Sequence, residues 1–217
     1  MNLYLYHHCP FCVRADMVAN YKQVPHKKIY LASDDEATPM RLVNAKQAPI
    51  LQMDDGRAMP ESLDIAKRLD ELGNPERPMR AGGDVTVWND AFAGVRRSIL
   101  SLQFPRNIRM GFPEFSEQSA RDYFQNKKEA VIECRFDEAL AASDQHIAVV
   151  AAMLASLPVP VSPAAHADQL GWDDVMIYPG LRNLSMVKGL PFPPVLRRYM
   201  DDVSRITATE LFFDRAI

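Results

Sequence analysis

Cysteine is scarce in this chain, with three residues in 217. So few thiols exclude the disulfide framework that staples small secreted domains, and a chain of this length buries enough apolar surface to do without one. Two of the three, Cys9 and Cys12, stand at C-x-x-C spacing, and Cys134 is left over. Long apolar runs are missing as well. The least polar stretch, residues 147–163, is interrupted by Ser156 and several prolines, so no bilayer-spanning helix is expected. The opening MNLYLYHH has neither a basic n-region nor a long apolar segment. No signal or transit peptide is read there, and a cytoplasmic location is expected. Charge of one sign is not in excess either. The net charge is −3 and is evenly spread, which leaves no basic stripe for phosphates and no reason to expect a nucleic-acid partner. What is present, 47% hydrophobic and 24% charged residues, is the composition of an ordinary globular protein.

The first seventy residues read as an α/β unit. Leu3, Tyr4, Leu5 and Tyr6 make a short strand of β-favouring side chains. Cys9-Pro10 then opens a helix, since proline is well tolerated at the first helical position. Phe11, Ala15, Val18 and Ala19 continue it until a stop before Pro25, and residues 26–31 form a second strand. A short helix is expected over 38–43, with Thr38 as its N-cap and Pro39 just inside. Pro49 to Gln52 and Arg57 to Met59 are strands joined by the turn Asp54-Asp55-Gly56, and Glu61-Ser62 begins a helix carrying Ile65, Leu69 and Leu72.

Glycines and prolines then cluster between Gly73 and Gly83, and the pattern beyond becomes helical. One apolar face runs from Trp88 to Leu102. A second runs from an N-cap near Ser116 through Cys134 to Leu140 and on to Leu154, with a break expected near Ser143. A further helix begins near Trp172 and passes Ile177, Leu181 and Leu184, with a kink expected at Pro179, and the last begins near Pro194. The expected fold class is therefore α/β then all-α: a thioredoxin-like domain over 1–72, a linker over 73–83 and an all-helical domain over 84–217.

Disulfide exchange needs a thiolate to attack and a second thiol near enough to resolve the mixed disulfide. A helix N-terminus provides both. Its unpaired N–H groups and positive dipole end lower the pKa of the first cysteine, and the i, i+3 spacing puts the second on the same face. Cys9 is thus the expected nucleophile and Cys12 the resolving thiol, with Arg14 adding positive field and Asp16 opposing it. Metal binding is the rival use of such a pair. No second C-x-x-C exists, and the adjacent His7 and His8 would point to opposite faces of a strand, so no metal is expected. His8 either tunes the thiolate or is an exposed loop residue. Cys134, in an apolar helical stripe, is expected to be buried and inert.

With these residues in place, the sequence resembles the large, transferase-like glutaredoxins of the glutaredoxin 2 type. The likeness is carried by Leu3-Tyr4-Leu5-Tyr6, Cys9-Pro10-Phe11-Cys12, Gln47-Ala48-Pro49-Ile50-Leu51 and Met59-Pro60-Glu61-Ser62, and it extends over the whole chain. It implies a glutathione transferase-like architecture and glutathione-dependent reduction of protein and mixed glutathione disulfides. Glutathione would be reductant and co-substrate, disulfide-containing or glutathionylated proteins the partners, and a monomer the expected state. The resemblance also implies a cis Pro49 beside the cysteines, which would leave the N–H and C=O of Ala48 for the cysteinyl part of glutathione. Glu61 and Ser62 would take the γ-glutamyl amine and carboxylate, with Cys9, Pro10 and Phe11 completing the site. Arg14, Gln47 and the Lys27/Lys28 pair are weaker candidates for the glycine carboxylate. Read without the resemblance, Glu61-Ser62 is a helix-capping pair.

One departure stands out. Such domains often start a core helix with a Ser/Thr-x-x-Asp box, and here Asp174 has Gly171 in place of the hydroxyl residue. The competing function on this fold is a conjugating glutathione transferase, which stabilises the thiolate of glutathione itself, usually with a Tyr or Ser hydroxyl. A neighbouring cysteine would form a mixed disulfide with glutathione instead, so the Cys9/Cys12 pair favours redox chemistry.

Overall fold

A computed structural model describes residues 1–217. The strands are β1 (Asn2–Leu5), β2 (Lys27–Tyr30), β3 (Ile50–Gln52) and β4 (Ala58–Met59). The helices of the first domain are α1 (Pro10–Tyr21), α2 (Ala37–Val43) and α3 (Ser62–Leu72). Those of the second are α4 (Thr86–Gly94), α5 (Arg96–Asn107), α6 (Gln118–Ile132), α7 (Phe136–Ala141), α8 (Ser143–Ser156), α9 (Trp172–Leu184) and α10 (Pro194–Thr207). The sheet order is β2-β1-β3-β4, with β1 parallel to β2 and antiparallel to β3, and β3 antiparallel to β4. A thioredoxin-like domain with a mixed sheet is thus joined to an all-helical domain.

Side chains alternate across β1 as a strand requires. Leu3 and Leu5 enter the main core with α1 and α3, whereas Tyr4 joins Ile50 and Leu31 in a smaller cluster that Leu42 and Val43 of α2 pack against. α1 is packed against α3 within its own domain and against α9 and α10 of the helical one. That explains why Cys12, Val13, Ala15, Met17, Val18, Ala19 and Tyr21 are all buried, more than one face of a surface helix would bury. One apolar core therefore runs from Leu3 through α1 to Phe212.

The structure corrects three local expectations. The N-cap of α2 is Glu36 rather than Thr38, and the capping acceptor is Asp35, whose carboxylate takes the Thr38 N–H at 2.9 Å. The break expected near Ser143 is present, since α7 ends at Ala141 and α8 starts at Ser143, but a second break that was not expected stands before α7. Glu133 is left-handed at φ 52°, and the carboxylates of Glu129 and Glu138 accept the N–H groups of Phe136 and Arg135 at 2.8 and 3.1 Å, starting α7 afresh. Cys134 falls in that break, half-exposed at the edge of the core and not buried on a helical stripe, with Sγ 3.4 Å from the Arg135 carbonyl. The helix expected from Trp172 is α9, which includes Pro179 and runs to Leu184 as expected.

The glycine at 171 has a physical reason. A β-carbon there would lie 2.1 Å from Asp173 Oδ1 and 2.3 Å from Arg80 Nη2, so the Arg80–Asp173 ion pair fills the space of the usual hydroxyl. Asp174 keeps its half of the box, accepting the Gly171 N–H at 2.7 Å and the Tyr199 hydroxyl at 2.9 Å, while Asp173 Oδ1 accepts the Asp174 N–H. The capping that glycine cannot supply comes from the neighbouring carboxylate.

Candidate active site

Cys9 is the N-cap of α1, with Pro10 at the first helical position. It is half-buried, and Cys12 one turn later is closed off from solvent. The hydrogen bond from the Cys12 thiol is the largest influence on Cys9. Burial opposes it, but His8 and the N–H groups of Cys12 and Phe11 help to draw the Cys9 thiol down to about 6. Burial and the adjoining Cys9 push Cys12 well up, so it stays a thiol, with Sγ accepting the Tyr6 N–H at 3.3 Å. The pair is thereby divided into a thiolate and its proton donor.

Next to Cys9 lies a small pocket of about 200 Å³ formed by Phe11, Gln47, Ala48, Pro49, Glu61 and Ser62. The Ala48-Pro49 bond is cis, and neither the N–H nor the C=O of Ala48 is hydrogen-bonded within the chain. Glu61 holds φ 74° and ψ 110°, a conformation that side chains other than glycine rarely adopt and that costs on the order of 1–3 kcal/mol. It is not capping α3, since its side chain makes no cap hydrogen bond, and the Ser62 hydroxyl has no partner in the chain. The geometry thus argues against the plain capping use of Glu61-Ser62. Gln47 joins this pocket, but Arg14 turns to a separate groove with Trp88 and Phe92, stacked 4.9 Å over the Phe11 ring. Lys27 is exposed on β2, and Lys28 pairs with Asp16 at 2.6 Å in a cavity behind Cys12, so neither lysine reaches the Glu61-Ser62 pocket.

On its other side Cys9 opens into a larger cleft between the domains, about 420 Å³ in volume. The loop leading into Cys9 is held from the helical domain. Arg182 Nη1 donates to the His7 carbonyl at 3.1 Å, and Asn183 Nδ2 to the His8 carbonyl at 2.6 Å. Glu114 Oε1, fully buried, accepts both the His8 N–H at 2.9 Å and ring Nδ1 at 2.7 Å. His8 is accordingly a half-buried, paired residue and not an exposed one. Sequence reasoning missed Glu114, Arg182 and Asn183. The available signal was a charge inside an apolar run, Phe112-Pro113-Glu114-Phe115, and two polar residues between Leu181 and Leu184.

His7 lies among Phe112, Phe212 and Tyr30, with Arg182 against its ring and Glu210 3.7 Å away. Burial, and then the Arg182 guanidinium, pull it down to about 4. Its unfolded value is the ordinary one, so the neutral ring adds stability that is complete above about 6.5 and lost as pH falls toward 4. The size is about 3 kcal/mol. Urea denaturation of the parent and of His7→Gln across this range is expected to show a difference that shrinks with acidification. A difference independent of pH would oppose the assignment.

Residues 85–216 match the family model described as the C-terminal domain of glutaredoxin 2, and residues 3–77 the N-terminal domain of glutathione S-transferases. The chain is 38% identical to glutaredoxin 2 of Escherichia coli K12, with 100% of both chains covered. The crystal structure of glutaredoxin 2 from Salmonella typhimurium in complex with glutathione superposes with a TM-score of 0.90 at 38% identity, covering 100% of this chain and 98% of that one. Dehydroascorbate reductase of Chlamydomonas reinhardtii shares the fold at a TM-score of 0.52 and 17% identity, covering 100% of this chain and 98% of its own. By full-length likeness, with the cysteine pair on its helix N-terminus, the chain belongs to the glutaredoxin 2 family.

Proposed function

We propose that this protein is a glutathione-dependent thiol–disulfide oxidoreductase that reduces mixed glutathione and protein disulfides through Cys9 and Cys12. The observation that carries the reading is the division of the pair, with Cys9 drawn down to about 6 at a helix N-terminus and Cys12 kept as a buried thiol beneath it. The Cys9 thiolate attacks the glutathionyl sulfur of a mixed disulfide. The substrate S–S bond breaks, the target leaves as a thiolate that takes up a proton, and Cys9 carries glutathione. A second glutathione thiolate then attacks the glutathionyl sulfur, releasing glutathione disulfide and restoring the Cys9 thiolate. With a protein disulfide, Cys12 attacks Cys9 Sγ to expel the reduced protein, and two glutathiones reopen the Cys9–Cys12 bond.

In this reading glutathione lies in the pocket of Phe11, Ala48, Pro49, Glu61 and Ser62, with Pro10 shaping the approach to Cys9. The unengaged backbone of Ala48 and the partnerless Ser62 hydroxyl support that placement, as does the strained Glu61, a kind of outlier that gathers at binding sites. The domains run over 1–72 and 84–217 with a linker at 73–83, and the protein acts as a cytoplasmic monomer. No helix is long and apolar enough to cross a membrane. A conjugating transferase is disfavoured because Cys9 stands where such an enzyme needs a hydroxyl toward the glutathione sulfur.

The parent is expected to reduce a glutathionylated peptide at the expense of glutathione, and Glu61→Gln to raise KM for glutathione about tenfold, the worth of one charge-assisted hydrogen bond. Rapid conjugation of a chlorinated aromatic electrophile with poor disulfide reduction would reverse the assignment.

A further inference from the structure

The cleft between the domains has a one-sided charge. Its 18 lining residues include Lys46, Arg96, Lys127 and Lys128 and no Asp or Glu. This is a local feature, because the chain as a whole has 28 acidic residues against 25 basic ones. Two of the four cations are already engaged. Lys46 donates to the Tyr6 hydroxyl and to the carbonyls of Ser33 and Asp35, and Lys127 is paired with Glu36 and the Tyr123 hydroxyl. Arg96 and Lys128 have no carboxylate partner in the chain. The ammonium of Lys128 sits 5.1 Å from the centre of the Phe104 ring and 5.6 Å from that of Phe124, and burial lowers its pKa. A cation held over aromatic rings, partly desolvated and without a counter-charge, is a ready place for an incoming carboxylate.

The floor beneath these cations is apolar, made by Leu100, Phe104 and Phe124. The cleft and the small Ala48–Ser62 pocket meet at Phe11 and Ala48, beside Cys9. If the glutathione half of a mixed disulfide fills the small pocket, the other half must lie along the cleft. We propose that Arg96 and Lys128 make the protein selective for disulfides whose target cysteine is flanked by an acidic residue and an apolar one. The acidic side chain meets Lys128 and Arg96, and the apolar one covers Phe104 and Phe124. The exchange itself is the one already written, with the peptide thiolate as leaving group, so the inference rests on the glutathione-dependent reading and names its substrate class.

The test uses two peptides that differ only near a glutathionylated cysteine, one with Phe and Glu as neighbours and the other with Phe and Lys. The full-length protein is expected to show a kcat/KM about tenfold higher for the acidic peptide, as two partly exposed ion pairs on one side and two repulsions on the other would give. Raising the salt to about 0.5 M should compress the ratio, because exposed charges are then screened. In Lys128→Met with Arg96→Gln the ratio should approach one, and Lys128→Glu should invert it. The methionine keeps the contact with the aromatic floor, and a ratio is insensitive to any general loss of active protein. Equal kcat/KM for both peptides in the parent would overturn the selectivity. So would a rise in KM for glutathione in the double variant with both peptides slowed alike, since the two cations would then be serving glutathione. A parent that turns over neither peptide would instead overturn the function on which the inference stands.

Discussion

Cys9→Ser is expected to abolish glutathione-dependent reduction of a glutathionylated peptide, a loss of about a thousandfold or more. A serine hydroxyl has no accessible anion at neutral pH and forms no disulfide, so neither the attack nor the covalent intermediate survives. Cys12→Ser should behave differently. The mixed-disulfide route needs only Cys9, so reduction of the glutathionylated peptide should persist, whereas release of a substrate bound through an intramolecular disulfide should fail. The pH dependence separates the two roles further. With Cys9 drawn down to about 6, the parent rate should be half-maximal near that pH and level above it, because the thiolate is the reacting form. The first cause of that lowering is the hydrogen bond from Cys12. Serine at 12 can still donate one; alanine cannot. Cys12→Ala should therefore move the half-maximal pH upward by about one pH unit, since losing a donor to the anion disfavours it. Retained activity in Cys9→Ser would sink the mechanism. An unchanged profile in Cys12→Ala would mean that the helix N-terminus and His8 act without Cys12.

The parts of this site that can be read from the sequence are those whose cause is local. Pro10 at N1 marks the start of α1, and with it the unequal chemistry of Cys9 and Cys12. Asp54-Asp55-Gly56 marks the turn between β3 and β4, where Gly56 at φ 88° and the Asp55 carboxylate on the Arg57 N–H form the reversal. The break between α6 and α7 has no such signal. No glycine or proline stands there, and an apolar pattern runs straight through it. The stop depends on the carboxylates of Glu129 and Glu138 folding back onto N–H groups, a use of glutamate that its frequency in helices conceals. Least legible was the grip of the helical domain on the cysteine loop. Glu114 meets His8 across 106 residues, and Asn183 meets it across 175. Pairing at that separation leaves no trace in spacing or periodicity.

That grip sets the second large effect expected here, a loss of about 3–5 kcal/mol of folding stability in Glu114→Ala. The carboxylate is wholly buried, and Oε1 alone serves both the His8 N–H and the His8 ring. Oε2 has no partner, so the group bears the cost of burial with half of its hydrogen-bonding capacity unused. Burial pushes the Glu114 pKa up, yet the hydrogen bonds and charge of His8 more than offset it and hold the carboxyl below its ordinary value. Truncation to alanine would take the acceptor from two His8 donors that lie against the Phe115 and Phe124 rings. Glu114→Gln keeps one acceptor oxygen and the volume, and should lose about half as much. The sign with pH follows from the lowered pKa. The pair's contribution is present above the ordinary carboxylate value and is lost as acid titrates the folded group, in the same direction as His7. Urea midpoints at neutral pH for parent, Glu114→Ala and Glu114→Gln should rank in the order parent, Gln, Ala. A drop under about 1 kcal/mol for alanine would put the Glu114–His8 pair in the class of surface ion pairs, and the helical domain would then be holding the cysteine loop through Arg182 and Asn183 alone.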